Sequence, residues 1–189
     1  MTNFESLKAS AIDALDSRNF EAAVTFASAL VDAGDPWLLD GLMFRSAALE
    51  HWAEGPRDRL ADAVNDWKRL IEIAPGSIPY RGLARVLLKL GDRESALLNL
   101  LEAERRAKSP EIYLGFAQYY RTASPPDLEK AKGYYLRAAL RGRTQGMRGY
   151  GEAAYDLDQP LLAASTALLG LLAMPFLALF LGKRRHDGF

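Results

Sequence analysis

The stretch YRGLARVLLKLGDRESALLNLLEAERRAKSPEIYLGFAQYY, residues 80–120, decides the fold. Its apolar residues recur at three- and four-residue steps, the period of an amphipathic helix. Gly91-Asp92 and Ser109-Pro110 interrupt that period as a helix stop and start. Tyr80, Leu83, Ala84 and Leu87 return as Tyr113, Phe116, Ala117 and Tyr120, 33 positions later. Between the two copies lies a second kind of helix, with Ala96, Leu100 and Ala103 on one face.

The same pattern extends in both directions. Met147, Tyr150, Gly151 and Ala154 follow 34 positions after the second copy, and Trp37, Gly41 and Phe44 repeat the spacing upstream. Ala63, Trp67 and Leu70, then Ala131, Tyr135 and Ala138, repeat the second kind of helix, and Ala22, Phe26 and Ala29 are placed in the same series. Turn signals divide the chain into nine helical segments, near 4–16, 20–33, 37–53, 57–74, 77–90, 92–107, 109–123, 128–140 and 145–157. Thr2-x-x-Glu5 reads as a capping box, Gly34 as a helix stop, and Asp35-Pro36 as an N-cap followed by Pro at the first helical position. No strand pattern appears. The expected class is all-α: about four helix pairs and a capping helix in 1–158. One helix pair cannot bury its apolar face, so pairs must stack, and Ala or Gly at the crossings lets their backbones approach. Trp37, Trp67, Tyr80, Tyr113 and Tyr135 are read as core filling between pairs.

This pattern resembles the tetratricopeptide (TPR) repeat, and Asp127, Lys130-Ala131, Tyr134-Tyr135, Ala138-Ala139 and Gly142 resemble the closing part of its Sel1-like relative. The resemblance implies a superhelix whose first helices line a concave face that binds proteins or peptides. In that register Leu38, Leu42, Arg81, Arg85, Leu114 and Gln118 face inward, with Arg45 and Arg121 one turn later. Arg81, Arg85 and Lys89 are four apart and share one helix face. The expected partner-binding set is therefore Arg45, Arg81, Arg85, Lys89, Gln118 and Arg121. Arginine forks there would suit an acidic partner. The Lys/Asn clamp of chaperone-binding relatives is missing, so no chaperone docking is expected.

Composition removes other classes. There are 24 Lys+Arg against 24 Asp+Glu, with no basic excess of the kind nucleic-acid binding requires. The chain lacks cysteine, and His51 and His186 lie far apart, so disulfides, thiolate chemistry and histidine metal sites are not expected. With no phosphate loop or nucleophile elbow either, neither enzyme activity nor a cofactor is expected.

Residues 161–182, LLAASTALLGLLAMPFLALFLG, carry no charge and precede Lys183-Arg184-Arg185. As a helix this stretch measures roughly 33 Å, enough to cross a hydrocarbon core. The expectation is a repeat domain over 1–158, a single membrane span over 159–182 kinked at Pro175, and a short basic tail over 183–189. The N-terminus has no signal-peptide pattern, so the domain is expected on the cytoplasmic side, tail-anchored. Lys130, Lys132, Arg137, Arg141, Arg143 and Arg148 fall in a segment, 130–148, that contains no acid, and are expected at the membrane surface. The expected function is a membrane-tethered adaptor or scaffold. The alternative is a structural or assembly subunit held in a membrane complex through its span.

Overall fold

The computed structural model describes residues 4–56 and 58–159, together with position 164. The described residues form α1 (Phe4–Asp16), α2 (Phe20–Ala33), α3 (Leu38–His51), α4 (Arg59–Ile73), α5 (Ser77–Leu90), α6 (Arg93–Arg106), α7 (Pro110–Arg121), α8 (Leu128–Ala139) and α9 (Thr144–Asp156). No strand occurs among them. The chain divides into two compact units, Met1–Ala107 and Lys108–Phe189. In the first, each helix packs on its successor from α1 to α6, and the odd-numbered helices α1, α3 and α5 also touch. In the second, α7, α8 and α9 pack in sequence, and α7 touches α9.

The second helix of a hairpin starts with a short polar side chain in three cases. Asn19 accepts from the Ala22 amide at 3.2 Å, Asp92 from Ser95 at 3.1 Å and Asp127 from Lys130 at 3.1 Å. Each satisfies a backbone donor that the first helical turn leaves orphaned. Gly91 closes α5 at φ 83°, a left-handed conformation that a Cβ would strain. One expectation fails at the α2–α3 turn. Asp35 does not cap α3 and Pro36 is not its first residue. The helix begins at Leu38 with Trp37 as its N-cap, and the Asp35–Pro36 peptide is cis. The capping box at Thr2 lies outside the described residues.

The small residues behave as stacking requires. Ala63, Ala96 and Ala131 are fully buried, as are Ala103 and Ala138. The first hairpin differs from the expectation by one residue: α2 buries Ala23, Ala27 and Leu30, while Ala22, Phe26 and Ala29 are half-buried. The observed trio has the same step of four and then three as Ala63-Trp67-Leu70, so α2 obeys the repeat once its register is moved. In the first unit the core centres on Leu42, Leu49, Trp67, Leu70, Leu83, Val86 and Leu87. Of the expected core aromatics, Trp67 and Tyr113 are buried, whereas Trp37, Tyr80 and Tyr135 are half-buried.

None of the described helices is long and apolar enough to cross a membrane. The stretch 161–182 read as a span lies, apart from position 164, outside the described residues, as does the tail over 183–189.

Candidate functional site

The basic residues of the odd-numbered helices were expected to face a partner. In the first unit they face carboxylates of the same chain. Arg45 on α3 donates from Nε and Nη2 to the two Asp66 oxygens of α4, at 2.8 and 2.7 Å. Arg85 on α5 donates from Nε to Glu50 of α3 at 3.0 Å, and Lys89 Nζ lies 3.2 Å from the same carboxylate. Lys89 also donates to the Glu50 carbonyl at 2.8 Å. Glu50 and Asp66 are only 4% and 5% exposed. A buried carboxylate without a cation would carry its full desolvation cost, so these basic side chains are required by the fold. The Asp66 hydrogen bonds hold the Arg45 guanidinium above its ordinary pKa. Toward the start of the unit, Lys8 of α1 reaches Asp40 of α3 at 2.6 Å. Ion pairs thus tie α1 to α3 and α3 to α5. Arg81 is half-buried on α5, one turn before Arg85.

The second unit repeats the device nearer the surface. Arg121 of α7 donates to Glu152 of α9 at 2.6 Å and lies 3.7 Å from Asp156. Arg148 reaches the other Glu152 oxygen at 2.9 Å. Hydrogen bonds from Arg121, then Arg148, hold the Glu152 carboxyl below its usual pKa. Beside this cluster a polar cleft of about 330 Å³ is lined by Leu114, Gln118, Tyr135, Gln145, Arg148, Gly149 and Glu152. Its floor depends on a glycine. A Cβ at Gly149 would lie 2.3 Å from the Tyr135 ring, so only glycine lets that ring lie against α9.

A second cleft, in the first unit, is apolar. Leu39, Met43, Trp67, Leu70, Ile78 and Pro79 line about 390 Å³ between α3, α4 and the start of α5. Leu39 and Ile78 are exposed at its rim. The repeat pattern placed Trp67 and Leu70 in the core, and nothing in the spacing marked a cleft here.

The acid-free segment 130–148 acquires acids in the fold. Lys130 pairs with Asp127 at 2.8 Å and Lys132 with Glu129 at 2.9 Å. Arg143 donates from Nε to Glu111 at 2.6 Å, and Arg148 uses Glu152 as above. Arg137 and Arg141 pair with no carboxylate among the described residues. Instead their guanidinium carbons lie 4.9 Å over Tyr134 and 4.7 Å over Tyr113.

A signal for the partners existed in the chain. Arg85 and Glu50 are 35 positions apart, Arg143 and Glu111 32, and Arg121 and Glu152 31. Each gap is close to one repeat, so an acid one repeat away on the neighbouring odd-numbered helix is the place to look.

Comparison with solved structures supports the helical-repeat reading. The chain is similar to a thermophilic TPR protein of Thermus thermophilus, at 24% identity and TM-score 0.67, over 88% of this chain and 82% of that one. A crystal structure of MamA aligns at 14% identity and TM-score 0.62, over 89% and 96% of the two chains. MamA from residue 41 onward, of Desulfovibrio magneticus RS-1, aligns at 15% identity and TM-score 0.62, over 100% and 99%. At such identities the likeness shows the fold, a TPR-like array of helical hairpins. No family model and no curated protein matches the chain.

Proposed function

We propose that this chain is a non-enzymatic adaptor that holds a protein partner on a TPR-like domain and is tethered to a membrane. The observation that carries the partner is the charge at α5. Arg85 and Lys89 both reach Glu50, so two cations meet one carboxylate and a positive charge remains. Arg81 lies on the same helix face. An acidic segment of a partner would complete this cluster without desolvating an isolated charge. Gln118 and Arg121 border the polar cleft of the second unit, where amide and guanidinium donors can take a peptide backbone or carboxylate. Arg45 is spent on Asp66 and is assigned to the fold.

The tether rests on the chain itself: uncharged residues 161–182, followed by Lys183-Arg184-Arg185. In this reading the span covers 159–182, the tail 183–189, and the repeat domain stands on the cytoplasmic side. Tethering raises the effective concentration of a partner at the membrane, so a modest cleft suffices.

The test uses the full chain reconstituted in lipid as bait, wild type against Lys89→Gln/Gln118→Ala. These substitutions leave the Arg85–Glu50 and Arg45–Asp66 pairs intact. Loss of the Lys89–Glu50 pair lowers the melting temperature, so retention is read well below it, where the helical circular-dichroism signal matches wild type; a protein retained by the wild type and released by the variant there supports the adaptor. Equal retention by both would assign the contact elsewhere. Carbonate extraction of the same membranes tests the tether, and release of the chain into the supernatant would refute it.

A further inference from the structure

We infer that the C-terminal end of α8 is a lipid-headgroup contact: Arg137 and Arg141 bind the phosphates of an anionic bilayer while Leu136 and Leu140 enter its interface. This deepens and rests on the membrane-tether reading.

Four observations converge on this face. Leu136 and Leu140 are four apart and therefore neighbours on α8, and they are 42% and 77% exposed. Arg137 and Arg141 form the adjoining stripe. They are the cations of segment 130–148 that have no carboxylate partner among the described residues. Gly133, one turn earlier, has nothing within 4 Å of where a Cβ would stand, so the open face continues along the helix.

The arginines are also held ready. Each guanidinium carbon lies over a tyrosine ring, Arg137 over Tyr134 and Arg141 over Tyr113. Arg141 donates one hydrogen bond, 3.4 Å to the Arg137 carbonyl. Among the described residues the Arg137 guanidinium donates none. Planar guanidinium forks without a carboxylate partner match phosphate oxygens, and exposed leucines beside them are the composition of an interfacial helix.

Chain continuity selects the occupant. α9 ends at Asp156, and the uncharged stretch begins at residue 161. α9 runs back along α8, and Lys132 donates to Gln159 at 3.1 Å, so the chain leaves beside the start of α8. Leu140 and Arg141 stand roughly 12–15 Å further along α8, and they meet the headgroups when the α8–α9 hairpin lies along the bilayer surface. An acidic protein would satisfy the arginines but gives no reason for Leu140 to be bare.

The chain has no cysteine, so Leu140→Cys places a single fluorophore on this face. The labelled full chain is incorporated in vesicles of phosphatidylcholine alone, or with about one-third phosphatidylglycerol, each doped with a headgroup-level quencher. Flotation of the vesicles reads the tether, and quenching reads α8. The expected result is flotation with both lipids but strong quenching only with the anionic one. Removing both cations in Arg137→Gln/Arg141→Gln lowers the quenched-to-free ratio roughly 10- to 30-fold, and so does molar salt, without affecting flotation. If that variant fails to fold, the salt series on the unsubstituted arginines decides alone. Flotation with no quenching, or with equal quenching on both lipids, overturns the headgroup contact and leaves the tether standing. No flotation removes the tether and, with it, this inference.

Discussion

The two units build the same helical hairpin and secure it differently. The first sinks its carboxylates: Glu50 and Asp66 are buried, and Arg45, Arg85 and Lys89 reach inward to them. The second keeps its ion pairs at the rim, where the Arg121 and Glu152 side chains are 37% and 38% exposed. It adds ring stacking to the backbone approach that the first unit also uses at Gly41, where a Cβ would lie 2.7 Å from the Val31 nitrogen. A Cβ at Gly146 would lie 2.4 Å from the Ala139 nitrogen, and Tyr134 stacks on Phe116 at 4.9 Å and on Tyr120 at 5.6 Å. An Arg–carboxylate pair therefore means different things in the two units. Inward pairs are obligatory, because breaking one strands a charge. Rim pairs are dispensable and screened.

The largest effect should come from the backbone approach of the second unit. Gly146→Ala forces α8 and α9 apart, since the obstacles are the Ala139 nitrogen and the Tyr135 carbonyl oxygen. We expect a loss of about 3 kcal/mol in urea unfolding. A loss under about 0.5 kcal/mol would show that the helices yield there. Next comes Arg85→Ala, which leaves Glu50 with Lys89 alone. The expected cost is about 2 kcal/mol, below the full value for a buried pair because Arg85 is partly exposed. Arg121→Ala should cost under about 1 kcal/mol, and equal losses for the two would erase the distinction between units.

Smaller effects sharpen the same contrast. Gly133→Ala places a methyl in open space on α8 and should stabilise by about 0.5–1 kcal/mol, the helix propensity difference. Contrasted with Gly146→Ala, it separates glycines that serve packing from one that does not. The smallest effect is the pH dependence of Glu152. Its carboxyl is held below the ordinary 4.5, by Arg121 first and Arg148 next. A depressed folded-state value contributes stability that is present above pH 4.5 and is lost as pH falls through the lower folded value. Glu152→Gln should flatten the acid limb of the melting curve by about half a kcal/mol or less, given the exposure of the pair. An acid limb that is unchanged would place the responsible carboxylates elsewhere.

Helix order was legible where a boundary has a local cause: Asn19, Asp92 and Asp127 cap, Gly91 and Gly142 stop, and Pro110 starts. The first hairpin was misread by one position because Ala22-Ala23 offers two registers for the same small residue, and only packing against α1 and α3 selects Ala23. The cationic positions were legible as helix faces, but their state was not. Segment 130–148 contains no acid, yet Asp127, Glu129, Glu111 and Glu152 reach its charges from outside it. Three of these acids stand three or four positions along the same helix, just beyond the ends of the segment, and only Glu111 stands about one repeat away. The ring beneath Arg141 is likewise a product of packing, since Tyr113 belongs to α7 and Arg141 follows α8, whereas Tyr134 stands three positions before Arg137 on the same helix.

The most direct measurement is a pair of double-mutant cycles read by urea unfolding: Arg45→Met with Asp66→Leu in the first unit, and Arg121→Met with Glu152→Leu in the second. We expect a coupling of about 2 kcal/mol for the inward pair and under about 0.5 kcal/mol for the rim pair. That outcome makes the inward arginines part of the fold and leaves partner binding to the remaining donors. Coupling near zero for Arg45–Asp66 would contradict the account and return that arginine to the candidate binding face.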